Sequence, residues 1–419
     1  MKILVIGSGG REHAICWKIA SEMDSGTLYA LPGNGGIGEI ANLVDIPVSH
    51  YQEIATFAKK EKIDLTVVGP ENPLADGLVD IFRKKGLKIF GPTRKAAMLE
   101  ASKVWAKEFM AQHNIPTGKF SVADNFQQAK RIIEKTEFPV VIKYDGLAAG
   151  KGVSIAEGKE DAISFLEAVF EKNIFSSTNV RVVIEEFLTG EELSYLVITD
   201  GEVFIPLAPA RDYKKIYDGD KGPNTGGMGC YSPVPICDSE LEKIIEKKIV
   251  IPTIKGLQRD GIEYKGVIYF GLIITKDGPE ILEYNVRFGD PETEVILPRM
   301  ESGLLELLEA TTEERLREYD IKWKKKAAVD VVIASGGYPG KYETGFVIAG
   351  VESVSGDGII FHAGTKKEND RFVTAGGRVL NVVGLGDTIE DAREKAYEKV
   401  QKISFKNMYY RKDIGYLKE

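Results

Sequence analysis

Apolar and polar positions form a repeating pattern over the first hundred residues. A short apolar run is followed by a segment in which apolar side chains recur at helical spacing, and this order then repeats. We predict strands at 2–6, 64–69 and 87–91 and helices at 11–23 and 74–85. Strands that alternate with helices predict a doubly wound parallel sheet of the α/β class. Ligands bind at the carboxyl ends of such strands, which here lead into loops at 7–10, 69–73 and 91–93.

The rest of the chain predicts further α/β and α+β units, so the protein should be multidomain. We expect residues 93–118 to be helical. Ile115-Pro116 should close this helix, because proline lacks the N–H that a helix interior uses. Helices are also predicted at 239–259 and 297–317, and a hairpin at 266–285. Further strands are expected at 138–143, 154–156, 180–186, 193–199 and 202–206, and a long glycine-rich loop at 217–235. After a solvated lysine-rich linker at 322–326, a smaller α/β unit has strands near 327–334, 357–362 and 377–383 and a helix at 389–403.

Size and composition narrow the class of protein. The chain has 419 residues, and single cores seldom grow beyond about 250–300 residues, so two to four units are expected. A net charge of −8 argues against an extended nucleic-acid surface. The three cysteines have no metal-binding or disulfide spacing, which favours a reducing, cytoplasmic location. We expect no membrane segment and no signal peptide, because no apolar run is long enough.

The segment from Glu283 to Glu292 contains more candidate metal-binding and catalytic residues than any other stretch of this length in the sequence. Residues 279–285 form a predicted strand, on which side chains two apart share a face, so Glu283, Asn285 and Arg287 should point together. A carboxylate and a carboxamide are oxygen donors suited to Mg²⁺, and an arginine fork suits a phosphoryl group. Asp290 and Glu292 follow in a turn. The alternative interpretation is a polar strand end on the surface.

The glycine-rich segment Gly7-Ser-Gly-Gly-Arg-Glu-His13 joins the first strand to the first helix. Backbone N–H groups and the helix dipole attract phosphate at such a position. A dinucleotide fingerprint would need glycine where Glu12 stands, and no acid follows the predicted second strand at 29–31. We therefore favour a small phosphorylated substrate over a nicotinamide cofactor, although the glycines alone also suit a tight turn.

Two more glycine-rich segments and one acidic segment are candidates for a nucleotide site. The segment Asp145-Gly-Leu-Ala-Ala-Gly-Lys-Gly152 follows a strand that carries Lys143, and it departs from the Walker spacing. It could close over a triphosphate or be an ordinary hairpin. The acidic stretch 184–192 could meet adenine and ribose, or be solvated. The loop 222–229 is long enough to favour ligand binding over a mobile surface loop.

In their order along the chain, these motifs resemble the ATP-grasp superfamily and, within it, the glycinamide ribonucleotide synthetases. The resemblance rests on Gly7–His13, Val68-Gly-Pro-Glu71, Lys143–Val153, Gly222–Gly229 and Arg287–Glu292, and late similarity appears at Gly336–Gly340, Phe361–Thr365 and Arg411–Tyr416. It implies an N-terminal domain at 1–101, an ATP-grasp domain at 102–325 with a mobile lid at about 120–190, and a small C-terminal α/β domain at 326–419.

The resemblance also implies an activity and a set of site residues. The activity would be ATP-dependent joining of glycine to phosphoribosylamine through glycyl phosphate, with Mg²⁺ or Mn²⁺ held by Glu283 and Asn285. Arg287 would stabilise the transferring phosphoryl group and Asp290 would bind the glycine amine. The implied ATP-binding residues are Lys103, Lys143, Gly150, Lys151, Gly152, Glu185, Glu186, Leu188 and Glu192. The implied substrate-binding residues are Gly9 and Gly10 for the 5-phosphate, with Glu71, Asp212, Asn224, Thr225, Gly226 and Asp290.

The chain departs from the family pattern at one position, and three alternative functions fit its sequence. Tyr213 stands where the family usually has a histidine, so a direct role for this position is in doubt. The alternatives are another ATP-grasp carboxylate–amine ligase, a nicotinamide-dependent oxidoreductase and a non-catalytic nucleotide sensor. The expected partners are small molecules rather than nucleic acid or membrane, and the chain is expected to be a monomer or a weak homodimer.

Overall fold

The N-terminal unit is a parallel sheet flanked by helices, as the sequence predicts. The computed structural model describes residues 1–148, 152–175, 179–353 and 358–417. The sheet has the order β3-β2-β1-β4-β5, and every pair in it is parallel. Its strands are β1 (Lys2–Gly7), β2 (Thr27–Pro32), β3 (Asn42–Leu43), β4 (Leu65–Val68) and β5 (Ile89–Phe90). Its helices are α1 (Gly10–Glu22), α2 (Tyr51–Glu61), α3 (Glu71–Ala75) and α4 (Leu78–Lys84).

The helix predicted at 93–118 is wrong in its continuity. The structure has two helices there, α5 (Met98–Ala101) and α6 (Lys103–Gln112), separated at Ser102. Ser102 has extended dihedral angles, and its hydroxyl accepts a hydrogen bond from the Trp105 N–H as an N-cap. The same hydroxyl donates to Asp145 Oδ1 at 2.8 Å. The break therefore connects α6 to the segment that follows Lys143.

A small sheet with its own apolar core forms the unit expected to be the lid. Its order is β6-β9-β7-β8, and all its pairs are antiparallel. Two helices pack against it through buried side chains such as Ala129 and Leu166. The elements are β6 (Phe120–Ala123), α7 (Phe126–Ile133), β7 (Val140–Tyr144), β8 (Val153–Ala156), α8 (Lys159–Phe170) and β9 (Val182–Glu186).

An antiparallel sheet in the order β11-β10-β16-β17 forms the centre of the molecule. Its strands are β10 (Glu191–Thr199), β11 (Phe204–Pro206), β16 (Gly266–Thr275) and β17 (Gly278–Asn285).

The segment predicted as a loop at 217–235 contains regular structure, because short strands pair there. These strands are β13 (Lys215–Tyr217), β14 (Lys221–Asn224) and β15 (Gly229–Ser232), and the short strand β12 (Arg211–Asp212) precedes them. The predicted helix at 239–259 is present as α9 (Ser239–Ile245), a π-helical turn (Glu246–Val250) and α10 (Ile251–Arg259).

The helix predicted at 297–317 begins earlier and is interrupted. The structure has α11 (Glu292–Arg299) and α12 (Leu304–Thr312), with Met300 extended between them. Pro298 lies within the last turn of α11, and it lacks the N–H that a continuing helix would use. Helix α11 also packs against α1 of the N-terminal unit. This segment therefore connects units of the molecule.

The C-terminal unit has a sheet in the order β12-β15-β18-β22-β19, with β23 also paired to β18. Strands β12 and β15 come from before residue 233, so the sheet is shared with an earlier part of the chain. The lysines of the run at 322–326 are exposed, as predicted, and Lys324 Nζ also donates to the Pro298 carbonyl at 2.9 Å. The elements are β18 (Ala327–Ser335), β19 (Gly358–His362), β20 (Thr365–Glu368), β21 (Arg371–Thr374), β22 (Arg378–Gly386), α13 (Ile389–Val400) and β23 (Met408–Tyr409). Among the described residues, no helix has the length and hydrophobicity that a membrane crossing needs.

Two buried histidines join the N-terminal and C-terminal units. His13 Nδ1 on α1 accepts a hydrogen bond from the His362 backbone N–H on β19 at 2.7 Å. His362 Nδ1 lies 3.0 Å from Thr365 Oγ1. Burial, together with the charge of His362, lowers the pKa of His13 from 6.5 to about 3. Burial lowers the pKa of His362 to about 4, although Glu39 opposes the shift. Both imidazoles are therefore neutral in the folded protein near pH 7.

This neutral pair should make stability depend on pH. The unfolded chain binds a proton at each histidine below about pH 6.5, whereas the folded chain does not until the pH approaches the lowered pKa values. The contribution of the two histidines to the free energy of unfolding is thus fully present above pH 6.5. It is lost as the pH falls towards 4, by up to about 1.4 kcal/mol per pH unit for each histidine. Unfolding by denaturant should be measured between pH 7 and pH 4.5 for the wild type and for His13→Asn. Asn retains an acceptor but does not titrate. The free energy of unfolding of the variant should therefore fall less steeply with falling pH, by the slope that one proton contributes. Parallel curves for the two proteins would contradict the prediction.

Candidate active site

A large cavity lies where the N-terminal, lid, central and C-terminal units meet. Its volume is about 1380 Å³, which is sufficient for a nucleotide and a second ligand. The carboxyl end of β1, the lid strand β7, the central strand β17 and the C-terminal strand β22 all contribute residues to its wall. The loops after β1 and β4 reach it, as expected for a parallel sheet.

The predicted metal pair stands at the end of β17. Asn285 Oδ1 accepts a hydrogen bond from Arg287 Nη2 at 3.0 Å, so these side chains do share a face. The Glu283 carboxylate lines the cavity, and we find no hydrogen bond to it among the described residues. Burial would raise the pKa of Glu283, but Lys214, Lys143 and Lys103 outweigh burial and hold it below its usual value. An ionised carboxylate and an amide oxygen with a lone pair to spare therefore face the cavity, and this donor set fits a divalent cation.

Arg287 is held between carboxylates of the N-terminal segment. Its Nη2 lies 3.1 Å from Glu100 Oε1 on α5, and its Nε lies 3.4 Å from Glu71 Oε2 on α3. Burial alone would lower the pKa of Arg287, but Glu100 and Glu71 raise it. Glu100 also accepts a hydrogen bond from the Val286 N–H at 2.8 Å. The guanidinium is therefore charged and oriented before any ligand binds.

A buried carboxylate on the lid is shared by two lysines. Glu185 on β9 forms ion pairs with Lys143 on β7 and with Lys107 on α6. Lys143 Nζ also donates to the Leu282 carbonyl at 2.7 Å, next to Glu283. Lys107 Nζ donates to Thr117 Oγ1 at 2.7 Å. Burial, opposed in part by Glu185, lowers the pKa of Lys107. This cluster connects the lid to the strand that carries the metal candidates.

The other predicted ATP-binding residues are arranged around this cluster. Lys103 Nζ donates to the Gly146 carbonyl at 3.0 Å. Glu192 pairs with Lys214 at 3.0 Å, and Lys214 is the largest cause of a lowered pKa at Glu192. Glu186 accepts a hydrogen bond from the Lys119 N–H at 2.7 Å. Glu186, Leu188, Glu192 and Gly152 line the cavity, whereas Gly150 and Lys151 lie outside the described residues.

The turn after β17 meets the loop 222–229 and the C-terminal unit at Asp290. Asp290 Oδ1 lies 3.0 Å from Arg378 Nη2 on β22. Arg378 Nη1 donates to the Gly226 carbonyl at 2.7 Å and to the Asp290 carbonyl at 3.0 Å. Burial would raise the pKa of Asp290, but Arg378 and Arg11 hold it below its usual value. The predicted substrate residues Asn224, Thr225, Gly226 and Asp290 are thus brought together at the cavity wall, and Glu71 and Asp212 also line it.

The glycine loop after β1 differs from the expected phosphate cradle. The Gly9 N–H donates to Glu12 Oε2 at 2.6 Å, and the Arg11 N–H lies 3.4 Å from Asp290 Oδ2. Two carboxylates therefore occupy the start of α1. Gly9 lines the cavity, but Gly10 does not appear in its wall and faces Asn381 and Glu294. The geometry does not favour Gly9 and Gly10 as the phosphate site, because Glu12 and Asp290 lie where the phosphate would bind.

Three charged residues were not predicted from the sequence: Glu100 and Arg378, which line the cavity, and Lys107, which pairs with the cavity residue Glu185. Lys107, Glu100 and Arg378 lie far in sequence from the partners they contact, so no local spacing indicates them. The segment that contains Arg378 could have drawn attention, since two glycines precede it. Tyr213, which replaces the usual histidine, has structural contacts: its ring lies 4.9 Å from the Arg411 guanidinium, and its hydroxyl accepts a hydrogen bond from the Gly415 N–H at 3.2 Å.

Comparisons with known proteins agree over the whole length of the chain. The family models for phosphoribosylglycinamide synthetase match in three parts: the N domain at 1–100, the ATP-grasp (A) domain at 101–293 and the C domain at 328–417. The phosphoribosylamine–glycine ligase of Caldanaerobacter subterraneus subsp. tengcongensis is 48% identical over 415 residues, which cover 99% of each chain.

Solved structures give the same result for the fold. The crystal structure of phosphoribosylamine–glycine ligase from Thermotoga maritima has a TM-score of 0.87 and 37% identity, covering 99% of this chain and 100% of that one. The biotin carboxylase domain of the Hydrogenobacter thermophilus 2-oxoglutarate carboxylase has a TM-score of 0.76 at 16% identity, covering 98% of this chain and 91% of that one. At that identity it supports the ATP-grasp fold alone.

Lys107 should support nucleotide binding without touching the nucleotide. If Lys143 turns from Glu185 to a phosphate, Lys107 remains to balance the buried carboxylate. Lys107→Met should therefore weaken ATP binding by about 10- to 100-fold, which corresponds to leaving a buried charged group without a partner, at about 1.5–3 kcal/mol. Calorimetric titration with ATP measures the effect, with the exposed lid residue Lys130→Met as the control. Equal affinities in the two variants would refute the role.

Proposed function

The chain belongs to the phosphoribosylglycinamide synthetase family, and we propose that it joins glycine to 5-phospho-β-D-ribosylamine in purine biosynthesis. The products are glycinamide ribonucleotide, ADP and phosphate. The observation that carries the proposal is the arrangement of Glu283, Asn285 and Arg287 at one cavity, opposite the lid lysine Lys143. A triphosphate needs this combination of cations and oxygen donors for phosphoryl transfer. Family membership over all three parts of the chain supports the choice of substrates.

The first step forms an activated carboxyl group. A carboxylate oxygen of glycine attacks the γ-phosphorus of ATP, a new O–P bond forms, and ADP leaves. Two anions must approach each other, so the site must supply positive charge at the transferring group. Arg287 supplies a fixed guanidinium, because Glu71 and Glu100 hold it in place. Lys103 and Lys143 would bind the triphosphate, together with Gly150, Lys151 and Gly152 of the glycine-rich segment 145–152.

The second step makes the amide bond. The amine of phosphoribosylamine attacks the carbonyl carbon of glycyl phosphate, phosphate leaves with the electrons of the C–O bond, and the amine loses one proton. A divalent cation on Glu283 and Asn285 would neutralise phosphate charge in the first step. No protein nucleophile is needed. Asp290 retains lone pairs beyond its contact with Arg378, and we propose that it binds the ammonium group of glycine.

The remaining ligand groups meet complementary side chains. We propose that Glu185, Glu186 and Leu188 contact adenine and that Glu192 contacts the nucleotide ribose, since these residues surround the lid end of the cavity. Glu71, Asp212 and the loop residues Asn224, Thr225 and Gly226 are proposed for the substrate side. Mg²⁺ or Mn²⁺ is the expected cation. The cysteines, none of which is in a disulfide, suit a cytoplasmic enzyme, and we predict a monomer or a weak homodimer.

The proposal predicts that ADP release requires both substrates. Purified protein should be incubated with ATP and Mg²⁺, with glycine and phosphoribosylamine omitted in turn, and ADP and phosphate should be measured. Sustained release is expected only in the complete mixture. Release with bicarbonate or formate in place of glycine would favour another ATP-grasp ligase. ATP binding without substrate-dependent release would favour a nucleotide sensor, and binding of NADH would favour an oxidoreductase.

The metal pair should be essential to turnover but not to folding. Glu283→Gln retains the shape of the side chain and removes its charge, so ADP formation should fall by more than about 100-fold. The exposed carboxylate Asp277 at the turn of the same hairpin provides a matched control, because Asp277→Asn should leave the rate unchanged. Thermal unfolding shows whether both variants are folded. Wild-type turnover in Glu283→Gln would remove this residue from the mechanism.

A further inference from the structure

The start of helix α1 cannot readily accept the phosphate of the second substrate. The Gly9 N–H donates to Glu12 and the Arg11 N–H lies near Asp290. A side-chain carbon placed on Gly9 would lie 2.9 Å from a carboxylate oxygen of each acid. A phosphate dianion at this position would therefore meet two negative charges. If phosphoribosylamine is a substrate, its phosphate needs a different partner.

Arg378 of β22 has the geometry of such a partner. Its side chain lines the same cavity, next to the loop 222–229 and the Asp290 turn. Described residues engage Nη1, through the carbonyls of Gly226 and Asp290, and Nη2, through Asp290 Oδ1. A guanidinium has five donors, and among the described residues we find no acceptor for Nε. Donors thus remain available for a planar, bidentate contact with phosphate oxygens.

Tyr338 contacts the same residue as Arg378, Gly226, through the neighbouring peptide unit. Its hydroxyl accepts a hydrogen bond from the Gly226 N–H at 3.0 Å, while Arg378 donates to the Gly226 carbonyl. Among the described residues we find no acceptor for the hydroxyl hydrogen of Tyr338, which can therefore point to a ligand. Tyr338, Pro339 and Gly340 all line the cavity, so this glycine-rich turn of the C-terminal unit reaches the substrate side.

Three other cations of the cavity pair with carboxylates on the side proposed for the nucleotide and the metal. Lys143 pairs with Glu185, Lys214 with Glu192, and Arg287 with Glu71 and Glu100. Arg378 is instead next to Asp290 and Gly226, which belong to the proposed substrate side. Placing the sugar phosphate near Arg378 also keeps it apart from the triphosphate, which reduces repulsion between the two anions.

We propose that Arg378 and Tyr338 form the subsite for the 5-phosphate of phosphoribosylamine. This assignment rests on the proposed function. It gives the C-terminal unit a direct part in substrate binding, because both residues belong to that unit. It also gives Asp290 a second task, since Asp290 orients the guanidinium that holds the phosphate.

Binding of two stable probes tests the subsite. Ribose 5-phosphate and ribose should be titrated calorimetrically into the wild-type protein, which is expected to bind the phosphate ester at least about 10-fold more tightly. Arg378→Gln should remove most of this preference, with a loss of about 10- to 100-fold in affinity for ribose 5-phosphate, as for a charge-assisted contact. Tyr338→Phe should show a smaller loss of about 3- to 10-fold for a neutral hydrogen bond. Arg393→Gln, on helix α13 outside the cavity wall, is the matched control.

Kinetics separate phosphate binding from a general disturbance of the turn. Arg378→Gln should raise the KM for phosphoribosylamine while the KM values for ATP and glycine stay within about threefold, as expected when one substrate contact is lost. An equal rise in the glycine KM, or an undiminished preference for ribose 5-phosphate, would overturn the subsite. Absence of glycine-dependent ADP release by the wild type would instead refute the proposed function, and the binding titrations would still report on the subsite.

Discussion

The ion pairs of Arg287 with Glu71 and Glu100 connect the N-terminal segment to the strand that carries the metal candidates. All three groups are largely withdrawn from water, and breaking a buried pair leaves a charge without compensation at about 3–5 kcal/mol. Strand β17 is therefore held against α3 and α5 at one position. The relation of Glu283 and Asn285 to the loop after β1 follows from this constraint, and so does the shape of the cavity between them.

The rest of the cavity follows the same rule of paired charge. Glu185 is neutralised by Lys107 and Lys143, Glu192 by Lys214, and Asp290 by Arg378. The cations that we propose to bind phosphate are thus kept charged and in place by carboxylates before a ligand binds. A ligand phosphate can then replace or extend an existing ion pair, so little reorganisation is needed when charge develops during transfer. At the start of α1 the carboxylates of Glu12 and Asp290 have the opposite effect. They disfavour an anion at a position that backbone N–H groups alone would favour.

The errors in the predicted elements have local physical causes. A cap at Ser102 divides the helix expected at 93–118, and the structural reason is its additional bond to Asp145, which the pattern of apolar residues does not reveal. The segment 217–235 looks like a glycine-rich loop in sequence, but β14 within it pairs with β13, and β15 pairs with β18, about 100 residues later. Periodicity detects regular structure only where a segment buries one face over several turns or residues. Short strands that complete a distant sheet give too little signal.

The sequence by itself determined the parallel N-terminal sheet and the strand ending at Asn285, and it predicted the oxygen donors and lysines that line the proposed nucleotide end of the cavity. These features depend on local periodicity and on short motifs, in which the interacting residues are close along the chain. Only the tertiary structure decided that Glu12 and Asp290 fill the start of α1, that Lys107 shares Glu185 with Lys143, and that Arg378 reaches the cavity. Each of these depends on a contact between segments far apart in sequence, and the spacing of residues carries no information about which distant charge will be the partner.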